Sequence, residues 1–170
     1  VVEVSGQTIL DMLEVAVSKW PEENGNFPHV SGLTFSVNTL GDENERVYNV
    51  KIMNSETGSY EAIGLDRMYT VASNNFILLE CGDGMTMFEG AKAVSDTGIL
   101  DVEILEEYIV ENLGGVIDEE YAEADGRITF TDGEVTHHQG EYAVWIAGMS
   151  GVLVVAAVAI ILALRKRNQT

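Results

Sequence analysis

One cysteine, two prolines, three histidines and nine basic side chains are all that these 170 residues contain of those types. With Cys81 alone, no disulfide can form within the chain. His29, His137 and His138 do not make a metal-ligand set, and the adjacent pair reads as part of a solvated stretch. The poverty in cations is the sharpest absence. Nine Lys and Arg stand against 28 Asp and Glu, a formal net charge of −19. So negative a chain is a poor ligand for nucleic-acid polymers and for anionic membrane surfaces. No Gly-rich phosphate loop precedes a helix, and no Ser-His-Asp grouping is visible. Internal repeats and low-complexity tracts are absent too.

What is present divides unevenly. Residues 142–164 are 23 residues without a charge, followed at once by Arg165-Lys166-Arg167. At about 1.5 Å per residue a helix of that length spans roughly 35 Å, enough for a hydrocarbon core of about 30 Å. The sequence therefore predicts a transmembrane helix over 142–164, a linker over 132–141 and a cytoplasmic tail over 165–170. The body up to Glu141 holds all 28 acidic and six basic residues, net −22, and the tail is +3. That asymmetry places the acidic body outside the cell. An outside protein without disulfides fits a bacterial surface better than a stapled animal ectodomain. The Leu-Pro-x-Thr-Gly of a sorting signal is missing, which favours a retained anchor. Because the chain begins without Met, inside a strand-like Val-Val-Glu-Val, it reads as the C-terminal part of something longer.

Within residues 1–131 the periodicities alternate. Val1 to Val4 reads as a strand, and Ser5 caps a helix from about Gln7 to Lys19, with Ile9, Met12, Leu13, Ala16, Val17 and Trp20 at helical spacing. Pro21 stops it. Strands are expected at Val30 to Val37, Arg46 to Met53, near Tyr60, at Met68 to Ser73 and at Arg127 to Phe130. A second amphipathic helix follows Asp101 and closes at Gly114-Gly115. The expected class is α+β: one mixed sheet of about five or six strands, two main helices and the membrane helix.

One stretch carries chemistry. Tyr69 to Phe88, Y-T-V-A-S-N-N-F-I-L-L-E-C-G-D-G-M-T-M-F, reads as a strand, an exposed Asn-Asn-Phe turn and a Gly-Asp-Gly loop. An aromatic face and a lone carboxylate on neighbouring loops can grip a base and its sugar. Read without further context, a Phe after such a turn is as well a core plug, and Gly-Asp-Gly a tight turn. Tyr121 to Asp132 looks briefly like a calcium loop, but Tyr at the first position and Asp at the last leave the cage short of oxygens.

The stretch resembles the nucleotide-binding C-terminal domain of the 5'-nucleotidase family, with its Tyr-x-Val-Ala strand, Asn-x-Phe, Gly-Gly-Asp-Gly and nearby Met-Phe. Further likenesses run in order from V-V-E-V-S-G-Q-T-I-L-D-M-L at Val1 to Leu13, through F-P-H-V-S-G-L-T-F at Phe27 to Phe35, to Gly126-Arg127-Ile128. The resemblance implies that Phe76 stacks on a base and that Asp83 accepts hydrogen bonds from ribose hydroxyls. Asn75, Gly82 and Gly84 complete the implied binding set. It also implies a nucleotide or nucleoside ligand, and a separate N-terminal metallophosphoesterase domain as partner. Divalent metals belong to that domain, so no catalytic residue, metal or cofactor is expected here. Two departures stand out: six residues separate Phe76 from Asp83 where the family has five, and Cys81 replaces a usual Gly. The family's first stacking ring and phosphate-side arginine have no counterpart in these residues. The expected function is the substrate-binding part of a membrane-anchored 5'-nucleotidase; a non-catalytic acidic surface module of the same fold is the alternative.

Overall fold

The computed structural model describes residues 1–132. The first strand, β1 (Val2–Ser5), runs straight into helix α1 (Gly6–Val17). Ser5 makes the switch. Its backbone is extended, and its Oγ accepts from the Thr8 N–H at 3.2 Å. The next orphan donors of the helix are met from outside: Gly6 N–H bonds the Arg67 carbonyl and Gln7 N–H that of Leu65, both at 2.9 Å. This approach is possible only because Gly6 lacks a side chain. A Cβ there would lie 2.3 Å from the Gly64 oxygen. The helix ends at Val17, ahead of Pro21, as the sequence leads one to expect.

Strands β2 (Leu33–Asn38), β3 (Val47–Met53) and β4 (Tyr60–Ala62) follow in antiparallel succession. A register shift between Thr34 and Ser36 is taken up on β3, where Asn49 adopts φ +52°. Next come β5 (Met68–Val71), a short helix α2 (Asn75–Leu78), β6 (Lys92–Ala93), helix α3 (Asp101–Glu107) and β7 (Ile128–Thr131).

The pairing corrects the expected single mixed sheet. There are two: a three-stranded antiparallel sheet ordered β5-β1-β6, and a four-stranded sheet ordered β4-β3-β2-β7 in which β2 and β7 run parallel. Alternating hydrophobicity marks strands but not their neighbours, so the sequence could not tell one sheet from two. The membrane helix is no part of the described fold: 142–164 lies outside the described residues, as do the linker beyond 132 and the tail. Among the described residues no helix is long and apolar enough to cross a membrane.

One core serves both sheets. Val2 and Val4 of β1, Ile9, Leu13, Ala16 and Val17 of α1, and Phe35, Val37, Val47 and Val50 of β2 and β3 are buried together. Helix α1 packs against both β1 and β3. Glu14 is the charged exception on its buried face. Its carboxylate accepts from the backbone N–H groups of Val47 at 2.8 Å and Arg46 at 3.1 Å, tying the helix to the start of β3. Burial pushes the Glu14 carboxyl above its ordinary range, against the pull of these two donors and of the Arg46 charge.

The expected second helix is shorter and wider than the pattern predicts. After Glu107 it continues as a π-type turn over Tyr108–Asn112 and closes at Gly114-Gly115, both at positive φ. None of its residues is buried; Ile104, Leu105, Tyr108 and Val110 are all exposed.

Candidate functional site

The Asn-Asn-Phe segment is the capped helix α2, not a bare turn. The Asn74 side chain accepts from the Ile77 N–H at 3.0 Å, and Asn75 is the first helical residue. Asn75 also donates from Nδ2 to the Glu80 carboxylate at 3.2 Å. Leu78 drops into the core, and after the Gly-Asp-Gly turn Met85 and Phe88 do the same. Each such burial contributes roughly 1.5–3 kcal/mol. Residues 79–84 thus form a short loop pinned at both ends.

Inside that loop the backbone is left-handed twice, at Cys81 (φ +52°, ψ +36°) and at Asp83 (φ +55°, ψ +28°), on either side of Gly82. A side chain in this region costs on the order of 1–2 kcal/mol relative to its usual conformation, less for Asp. Cys81 therefore takes up a conformation that the more usual Gly would adopt freely. Asp83 is presented outward: it is exposed, and its carboxylate has no hydrogen-bond partner among the described residues. Its carbonyl is held, accepting from Asn26 Nδ2 at 2.8 Å across 57 residues of chain.

Phe76 projects from α2 with 45% of its surface exposed, so it is no core plug. A Cβ built on Gly82 would fall 2.3, 2.4 and 2.6 Å from its Cζ, Cε1 and Cε2. Near-equal distances to three ring atoms put the glycine over the ring face, not beyond its edge. Of the five expected residues, the fold thus joins Phe76 directly to Gly82. Asp83 and Gly84, the latter at φ +81°, follow in the same turn. Asn75 precedes the ring and is engaged with Glu80.

Sequence reading missed Asn26. It sits in the loop between α1 and β2, where Asn24 Oδ1 accepts from its backbone N–H and Asn24 Nδ2 donates to the Ala16 carbonyl. The Asn- and Gly-rich composition signalled a loop but not its contact with Asp83. Among the described residues no three His, Cys, Asp or Glu converge as a metal site would need, and His29 stands exposed. Asp125, in the rejected calcium loop, is occupied by an ion pair with Arg127.

The chain as a whole is similar to known proteins in sequence and fold. The family model for the 5'-nucleotidase C-terminal domain matches residues 1–90. The trifunctional nucleotide phosphoesterase protein YfkN of Bacillus subtilis is 34% identical over 128 residues, 75% of this chain and 8% of that protein. Protein 5NUC of Lutzomyia longipalpis is 31% identical over 78% of this chain and 23% of its own length. The crystal structure of a 5'-nucleotidase precursor from Thermus thermophilus superposes with a TM-score of 0.68 at 30% identity, over 78% of this chain and 25% of that one. The chain spans about a quarter or less of the length of these relatives. With more than half of its residues matched by the family model, the chain belongs to the 5'-nucleotidase C-terminal domain family.

Proposed function

We propose that this chain supplies the nucleoside-binding part of a 5'-nucleotidase that hydrolyses nucleotide phosphomonoesters. The observation that carries the reading is the pairing of an exposed but braced ring with an uncommitted carboxylate. Gly82 fixes the Phe76 ring on one face, and Asp83 follows in the same turn with its oxygens free of described partners. A base stacked on the ring gains roughly 1–3 kcal/mol with little regard to its identity. A carboxylate can accept from two adjacent ribose hydroxyls at once, and charge-assisted bonds of this kind are about twice as strong as neutral ones.

Phosphate chemistry belongs elsewhere in this proposal. The proposal gives these residues the nucleoside end of the substrate and assigns them no step of hydrolysis. A metallophosphoesterase domain, carrying divalent metals, is the proposed partner, consistent with how small a share of each relative this chain covers. The location is proposed on sequence alone: the uncharged run 142–164 and the basic residues after it support membrane attachment with the acidic body outside.

Equilibrium titration of the chain with adenosine and with ribose 5-phosphate tests the binding role. Saturable binding of the nucleoside, weakened by Phe76→Ala, is the expected result. Equal affinity of wild type and Phe76→Ala for adenosine would remove the ring from the site.

A further inference from the structure

The loop that holds Asp83 through Asn26 also borders a concavity of about 390 Å³. Its wall is aromatic. Trp20, in the turn that follows α1, stacks on Phe130 of β7 with ring centroids 4.7 Å apart and planes at 29°, and Phe27 stacks on Phe130 at 6.1 Å and 18°. Phe130 keeps 44% of its surface exposed despite both contacts. Glu22 and Glu23 also line the pocket, exposed and without an ion-pair partner among the described residues. Asn24 completes this side, its amide tied back to the Ala16 carbonyl of α1. No Lys, Arg or His is in the lining. Arg46, whose Nη1 donates to the Trp20 carbonyl at 2.9 Å, is not part of it either.

We infer that this pocket binds an organic cation, of the quaternary or alkyl ammonium class. The three rings stack on one another, so only the faces that the stack leaves open are available; such a face carries negative quadrupole charge and attracts a cation placed over it. Two carboxylates beside them, on a body of net −22 up to Glu141, add a field of the same sign. The combination selects by chemistry. Anions, nucleotide phosphates included, are repelled. A small inorganic cation would need several oxygen ligands in place of rings. An ammonium wrapped in methyl or methylene groups satisfies both the apolar wall and the acidic side, and the volume lies within the usual range for small-molecule sites. The inference is independent of the nucleoside reading, since it concerns a different set of residues.

Choline chloride is the probe, with its neutral isostere 3,3-dimethyl-1-butanol and sodium chloride as controls. A Trp145→Phe background leaves Trp20 as the single reporting indole. The expected result is a saturable change in Trp20 emission with choline, roughly three- to thirtyfold weaker for the isostere, as a cation–π contribution implies. Glu22→Gln with Glu23→Gln, both at exposed positions, should weaken choline binding and leave the isostere unchanged. Equal affinity for choline and the isostere would overturn the inference, leaving a merely apolar pocket. So would the absence of any saturable response with choline, or one reproduced by sodium chloride.

Discussion

The face of the Phe76 ring rests against the backbone of Gly82, so closely that a single methyl group could not be inserted between them. Gly82→Ala is therefore a substitution with a directed effect. Its Cβ would stand 2.3 Å from Cζ, and the ring, being half exposed, swings away more readily than the pinned loop moves. Stability should change by less than about 1 kcal/mol, because little buried volume is involved. Nucleoside affinity should fall as far as it does in Phe76→Ala. Thermal unfolding and titration on the same sample check both halves, and unchanged affinity would show that the ring's placement does not matter.

Asp83 sits where the backbone is left-handed, which separates its charge from its conformation. Asn tolerates that conformation and Ala does not. Asp83→Asn should weaken nucleoside binding without loss of stability, whereas Asp83→Ala should do the same and also unfold more easily, by about 1 kcal/mol. Asn26→Ala removes the bond to the Asp83 carbonyl, worth about 0.5–1.5 kcal/mol. It should speed amide exchange at residues 81–84 and weaken binding by less than Asp83→Asn. Equal stability of the two Asp83 variants would contradict the strain argument.

Burial raises the Glu14 carboxyl above its ordinary value near 4.5, so the native state holds this proton more tightly than the unfolded chain does. The contribution of Glu14 to stability is then greatest below the ordinary value. It declines as pH rises from there through the raised native value. Glu14→Gln cannot titrate, and its NH₂ faces one of the two backbone donors that the carboxylate satisfies, at a cost of about 1–3 kcal/mol. The stability advantage of wild type over Glu14→Gln, measured by urea unfolding at a series of pH values, should shrink with rising pH across that window. An advantage that grows with pH would refute the sign.

How much of this was legible beforehand depends on whether the deciding interactions are local. Ser5 announces α1 because a cap acts within three residues, and β1, β2, β3, β4, β5 and β7 all fall within a few residues of where alternation puts them. Strand β6, two residues long, carries no pattern to read. The division into two sheets rests on pairings such as Val2 with Val71 and Phe35 with Ile128, which span most of the described chain and leave no trace in local periodicity. The site divides in the same way. Phe76, Gly82 and Asp83 are close in sequence, so a motif could carry them. Asn26 is 57 residues away and has only loop composition to mark it, and the Trp20, Phe27 and Phe130 stack joins residues that helical and strand spacing assign to separate elements.

The proposal at the centre is that Phe76 grips the nucleoside and takes no part in attack on phosphorus. In a protein that joins this chain to its proposed metallophosphoesterase domain, kcat/KM is to be compared for a nucleoside 5'-monophosphate and for p-nitrophenyl phosphate, which has no base or ribose. Phe76→Ala should lower kcat/KM for the nucleotide roughly five- to a hundredfold, the equivalent of about 1–3 kcal/mol of stacking, and leave the aryl phosphate nearly unchanged. Thermal unfolding of the variant confirms that it is intact. An equal loss on both substrates would mean that the ring supports the fold or the chemistry, and the nucleoside-binding role would fall.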